Sequence, residues 1–162
     1  MLIYLLRHGI AEDATGTQSD SERALTPEGK KKLREVLRTA SRAGVTVALI
    51  LSSPYRRALE TAKLAAEELG YKDDILTTQA LLPGAAPHQS WEEIRVHGDS
   101  ESLLLAGHEP LFSSLAAYLL GTPEAQIDFK KGALLCIELL GVGARPRGIL
   151  KWMLTPKLAA AE

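Results

Sequence analysis

The chain has 162 residues, enough for one domain with a full core, and an ordinary globular composition of 46% hydrophobic and 24% charged residues. A net charge of −1 argues against a general nucleic-acid or anionic-membrane binder, so an anion site must be built from local basic residues. The single cysteine, Cys136, excludes an intrachain disulfide, and no apolar run approaches membrane-spanning length. Residues 2–6 are a short apolar run that breaks into Arg7-His8-Gly9, the pattern of a buried strand delivering polar side chains to a loop. The polar residues 12–23 read as a surface loop. Thr26-Pro27-Glu28 opens a helix: threonine caps, proline takes the first helical position and glutamate suits the positive end. That helix runs to about residue 43 and stops at Gly44. Residues 45–51 are a second buried strand leading into Ser52-Ser53-Pro54, and residues 55–69 are a helix stopped by Gly70. A short strand over 75–78, a loop over 83–87 and a short helix over 89–96 follow. Residues 103–106 form another buried strand, broken by Gly107-His108-Glu109-Pro110, and 111–120 a helix ended by Gly121. Residues 133–140 and 149–154 are strands joined by the turn 141–148, a hairpin-like pair.

Strands alternating with helices, with no repeat or low-complexity linker, predict a three-layer α/β/α sandwich with a mostly parallel central sheet. The whole chain, 1–162, reads as one domain. Without a basic leader and a cleavage site, its expected address is the cytoplasm. Three strand ends carry polar residues: Arg7-His8-Gly9, Ser53-Pro54-Tyr55-Arg56-Arg57-Ala58 and Gly107-His108-Glu109-Pro110. If these strands are parallel neighbours, their carboxyl ends bring two histidines and several arginines to one rim, which then favours an anion.

At these residues the chain resembles the histidine phosphatase superfamily, which includes the cofactor-dependent phosphoglycerate mutases. Leu6-Arg7-His8-Gly9 is similar to the superfamily's signature. The segment from Ser53 to Ala62 resembles its second arginine motif, in which the arginine directly before alanine is catalytic. Gly107-His108-Glu109 resembles its second histidine motif. The short length, the segment Arg23-Ala24-Leu25-Thr26-Pro27-Glu28-Gly29 and the ending Trp152-Met153-Leu154-Thr155-Pro156 are similar to SixA-like phosphohistidine phosphatases. The resemblance spans nearly the whole chain and implies a phosphoglycerate-mutase-like fold and a single histidine phosphatase domain.

It also implies roles. His8 is the expected nucleophile: a neutral imidazole attacks phosphorus, forms a phosphohistidine intermediate and is released by water. Neighbouring cations help keep that ring neutral, and a backbone carbonyl must hold its tautomer. Arg7 and Arg57 are expected to grip phosphoryl oxygens with planar, permanently charged guanidinium groups; the plain alternative for Arg7 is a surface salt bridge. Arg56 and Arg57 point roughly 100° apart on a helix, and the family pattern selects Arg57, leaving Arg56 solvated or at the rim. His108 is expected to donate to a phosphoryl oxygen, against the alternative of a ligand-free histidine at a helix start. Arg23 is an auxiliary phosphate or substrate contact, or a surface residue. His88 and His97 read as surface residues, Lys30-Lys31-Lys32 as the exposed start of a helix, and Cys136 as a small buried hydrophobe. Neither a metal nor a cofactor is expected, since the four histidines show no close pairing. Trp91 and Trp152 are core or pocket-wall residues.

The pattern departs from the superfamily at one point. Many of its members carry a glutamate general acid between the second strand and the second histidine, but residues 81–90 contain no carboxylate, and Glu92 and Glu93 read as surface helix residues. An alkoxide leaving group needs a proton badly, whereas imidazole leaving from a phosphoramidate needs less help. Together with the lack of long lid-building insertions, this favours a phosphohistidine-bearing protein domain as partner, in histidine-to-aspartate relay signalling. The alternatives are a small-molecule phosphomonoesterase or mutase-like enzyme, and a non-catalytic phosphate-binding adaptor.

Overall fold

A computed structural model describes residues 1–160. Among the described residues, one sheet contains β1 (Leu2–Arg7), β2 (Leu49–Ser52), β3 (Leu76–Thr77), β4 (Ser102–Gly107), β5 (Leu134–Leu139) and β6 (Gly148–Leu154). Its helices are α1 (Pro27–Arg42), α2 (Arg56–Leu69), α3 (Pro87–Val96), α4 (Leu111–Leu119) and α5 (Pro156–Ala160). The strand order is β3-β2-β4-β1-β5-β6. The first four strands run parallel, β5 is antiparallel to β1, and β6 is antiparallel to β5. The expected α/β/α sandwich with a mostly parallel sheet is therefore present.

The strands are continuous apolar runs because both faces of the sheet are covered. On one face Ile3, Leu5, Leu103, Leu105, Leu135 and Ile137 pack with Trp91 and Ile94 of α3 and Phe112 and Leu115 of α4. The alternate residues Tyr4, Leu6, Ile50, Leu104, Ala106 and Cys136 face Leu33, Val36, Leu37 and Ala40 of α1 and Ala62 and Ala65 of α2. The helical spacing of the α1 residues makes that stripe, and the Thr26 hydroxyl caps the helix by accepting from Gly29 N–H at 2.9 Å. α2 ends at Gly70, whose φ of 70° suits glycine.

Two expectations are corrected. The second strand is shorter than residues 45–51, because Val45 N–H bonds back to Ala40 O in α1 and Ala48 N–H bonds to the Ser102 hydroxyl rather than to a strand carbonyl. The polar stretch 12–23 is not purely loop: Asp20–Glu22 is a 3₁₀ turn, and the stretch is closed at its base by an isolated bridge between Ala11 and Leu25. Beyond the predicted elements, α5 packs Ala159 against the α1 face of the sheet. The hairpin-like pair is observed as β5 and β6, with a register shift between Cys136 and Ile137.

This topology sets the site. β2, β4 and β1 are consecutive in the sheet and parallel, so all three polar strand ends emerge side by side. Arg7 lies opposite Gly107, His8 N–H donates to Gly107 O at 2.9 Å, and Ser53 N–H donates to Ala106 O at 2.9 Å.

Candidate active site

His8 leaves the central strand and turns inward, with only 6% of its surface exposed. Its Nδ1 lies 2.7 Å from the Gly9 carbonyl, which can only accept, so Nδ1 carries the proton. Arg57 Nε–H points at the other ring nitrogen, Nε2, at 3.3 Å and can only donate. Both neighbours thus impose the same neutral tautomer, with the Nε2 lone pair presented to the site. The carbonyl that holds the tautomer belongs to the residue directly after the histidine. Burial pushes the His8 pKa from 6.5 down to about 4, with the charges of Arg57, Arg7 and Lys131 acting in the same direction and the Gly9 bond opposing them.

The two adjacent arginines separate as the helical offset requires. Arg56 is exposed and lies 3.6 Å from Glu60 in an i,i+4 pair. Arg57 is 5% exposed, and its head group is anchored on both sides. Its Nη1 donates to the Asp20 carbonyl at 2.8 Å, Nη2 to the Asp20 carboxylate at 3.1 Å, and the guanidinium carbon lies 5.0 Å from the Tyr55 ring centre. Arg7 is half-buried; its Nη1 donates to Phe129 O at 2.6 Å, while its Nε is buried without a partner. Burial lowers the Arg7 pKa, and the charges of Glu109 and Asp128 work against that.

His108 sits at the end of β4, 1% exposed, its ring centre 5.1 Å from that of His8 and 5.2 Å from that of Tyr55. Its Nε2 is 2.8 Å from Ser53 Oγ, which also accepts from Tyr55 N–H at 3.3 Å. When the serine hydroxyl donates to Nε2, the histidine proton sits on Nδ1. That Nδ1 is buried and has no partner. Burial first, then the charges of His8 and Arg57, push the His108 pKa down to about 3. A buried polar group without a partner costs roughly 1–3 kcal/mol, and Arg7 Nε and His108 Nδ1 are two such atoms in residues neighbouring His8. The arrangement suits the binding of an anion's oxygens around a central atom that Nε2 can attack.

Sequence reasoning missed two groups that hold this arrangement. Asp20 binds Arg57 and also accepts from Arg23 Nε at 2.9 Å. Partial burial pushes the Asp20 carboxyl up, but the bonds and charges of Arg57 and Arg23 outweigh this and hold it below the ordinary carboxylate range. In the sequence Asp20 looks like its acidic neighbours Glu12, Asp13 and Glu22; only its reach to Arg57 distinguishes it. Thr61, one turn beyond Arg57, accepts from Gly9 N–H at 3.3 Å and donates to Arg57 O at 2.7 Å, tying the two motifs together. Arg23 is 24% exposed and fastens the segment, bonding Asp20 and, through Nη1, Glu12 O at 3.2 Å.

The remaining candidates lie elsewhere. Glu92 pairs with Arg95 and Glu93 with His97 on α3, His88 is exposed, and Cys136 is buried in the sheet. Trp91 is a core residue whose indole N–H donates to Ala144 O, whereas Trp152 is partly exposed on β6. Among the described residues there is no group of three or more His, Cys, Asp or Glu able to hold a metal ion, and no helix long and apolar enough to cross a membrane.

The model of the histidine phosphatase superfamily (branch 1) matches residues 3–81. An uncharacterised protein of Picosynechococcus sp. strain PCC 7002 is 31% identical over 137 residues, 83% of each chain. Among solved structures, the protein histidine phosphatase SixA complexed with tungstate superposes with a TM-score of 0.86 at 24% identity, covering 97% of this chain and 98% of that one. Mycobacterial glucosyl-3-phosphoglycerate phosphatase superposes with a TM-score of 0.70 at 16% identity, covering 93% and 96%. At these identities the structural likeness shows the fold.

Proposed function

Because the chain belongs to the histidine phosphatase superfamily and is a phosphatase, we propose that it hydrolyses phosphohistidine on a partner protein, with His8 as nucleophile. The observation that carries this reading is the His8 tautomer: Nδ1 bonded to Gly9 O and Nε2 left as a lone pair beside Arg57. The lone pair attacks phosphorus as the P–N bond of the substrate breaks, and the departing imidazole takes a proton from solvent. Water then attacks the phosphorus on His8, the P–Nε2 bond breaks, and phosphate leaves. Arg7, Arg57 and His108 hold the phosphoryl oxygens, with the buried, unpartnered Arg7 Nε and His108 Nδ1 available to donate. The tungstate bound to SixA is an oxyanion of the kind this pocket suits. Arg23 serves as an auxiliary substrate contact at the rim.

Two features support phosphohistidine over an ester. Residues 81–90 carry no carboxylate, and Asp20, the carboxylate bonded to Arg57, is held as an anion and so makes a poor proton donor. We place the protein, as a single histidine phosphatase domain spanning 1–162, in the cytoplasm and in histidine-to-aspartate relay signalling; residues 161 and 162 lie outside the described structure.

The test is dephosphorylation of a phosphohistidine-bearing domain by the wild type and by His8→Ala. The wild type should release phosphate and the variant should not; equal rates would sink the mechanism. The second reading, a small-molecule phosphomonoesterase, is favoured by the fold shared with glucosyl-3-phosphoglycerate phosphatase. A large preference for sugar phosphates or phosphoglycerate in direct competition would select it. Tight phosphate binding with no labelling of His8 would instead indicate a non-catalytic adaptor.

A further inference from the structure

Beside the phosphoryl site lies an open cavity of about 590 Å³, lined by Arg7, Lys32, Lys130, Lys131 and Lys157 with Asp128 as its one carboxylate. Five cations around one cavity stand out in a chain whose net charge is −1. They come from four places in the fold: the end of β1, the first turns of α1, the segment before β5, and the start of α5. Two are partly neutralised, Lys130 by Asp128 at 3.1 Å and Lys32 by Glu28 at 3.2 Å. Lys131 and Lys157 are exposed and form no ion pair among the described residues. Arg7 lines this cavity and directly precedes His8, so the cavity adjoins the phosphoryl site at that residue.

We propose that this basic cavity receives an acidic segment of the partner protein, next to the phosphohistidine that enters the His8 site. Long, flexible lysines offer point charges without fixed geometry, which suits carboxylates of varied position on a peptide. A rigid metabolite anion held in one pose would call for the bidentate fork of arginine, and the one arginine lining this cavity, Arg7, already commits its Nη1 to the Phe129 carbonyl. Clustered charge of one sign also raises the encounter rate with an oppositely charged partner. The proposal rests on the phosphohistidine reading and adds the charge of the flanking sequence.

The experiment uses two synthetic phosphohistidine peptides, one flanked by glutamates and one by glutamines, with phosphoglycerate as a third substrate. At low salt the wild type should show a KM about ten-fold lower for the acidic peptide, and the difference should shrink as salt shortens the screening length. The double variant Lys131→Gln, Lys157→Gln should collapse the KM ratio between the peptides to within about two-fold. The exposed Lys63→Gln, on α2 away from the cavity, removes a charge and should leave that ratio intact. Equal KM values for both peptides with the wild type, or a ratio unchanged in the double variant, would overturn the proposal while leaving phosphohistidine hydrolysis standing. If neither peptide is hydrolysed and phosphoglycerate is, the substrate reading itself fails.

Discussion

Replacing His8 by glutamine removes a titrating ring and keeps both of its bonds: the amide nitrogen can donate to Gly9 O, and the amide oxygen can accept from Arg57 Nε. His8 is 6% exposed and its pKa is pushed from 6.5 down to about 4, by burial first and then by the neighbouring cations. Between those two pH values the unfolded chain holds a proton that the folded chain refuses. Stability from this group is therefore complete above pH 6.5 and is lost as pH falls towards 4. At ~1.4 kcal/mol per pH unit, the loss over that window is about 3 kcal/mol. The assay is urea unfolding of wild type and His8→Gln at steps from about pH 7 to about pH 4. Carboxylates titrate in both proteins, so the difference between the two curves reports His8 together with its coupling to His108. The wild type should lose about 3 kcal/mol more than the variant. Parallel curves, or a His8 ring-nitrogen signal that titrates near 6.5, would refute the account of how the nucleophile is kept neutral.

Asp20→Asn keeps the backbone bond to Arg57 and removes the charge that holds its Nη2. Since the Asp20 side chain is 59% exposed, unfolding free energy should change by less than about 1 kcal/mol, while kcat/KM falls several-fold; unchanged kinetics would mean that Asp20 does not position Arg57. Ser53→Ala leaves His108 Nε2 buried without a partner, at a cost of roughly 1–3 kcal/mol; a thermal melt superimposable on the wild type would contradict the bond. Gly9→Ala places a Cβ 2.7 Å from Leu33 Cδ1 and 3.2 Å from Gly29 O. The resulting shift of α1 against the loop should cost about 1–3 kcal/mol and disturb the carbonyl that holds His8, seen as lower activity together with a lower melting temperature. Wild-type values for both would show that the loop adapts freely.

Much of this architecture is legible from local chemistry. The apolar strand runs, the Thr26-Pro27 helix start and the glycine stops follow from burial, capping and backbone freedom, which act within a few residues. Arg7, His8 and His108 could be read because they end or directly follow a buried strand, and Arg57 because its motif follows one within a few residues; the chemistry of an α/β sheet collects at that end. Helical geometry set Arg56 and Arg57 pointing apart, and the resemblance to the family pattern chose Arg57. By contrast, the truncation of the second strand depended on Ser102, a residue more than fifty positions away whose hydroxyl captures the Ala48 N–H.

What the sequence determined by itself was the set of reacting groups and the layer that carries them, because side-chain chemistry and hydrophobic period are local properties. The tertiary structure alone decided three things. Strand order β2-β4-β1 set the three polar ends side by side. The 3₁₀ turn at Asp20–Glu22 brought a carboxylate from a nondescript polar stretch onto Arg57, thirty-seven residues away. The gathering of Lys32, Lys131 and Lys157 around Arg7 made a basic cavity from residues scattered along the chain. Each is an encounter between distant segments, and its energy depends on separation in space, which a linear pattern of residues does not contain.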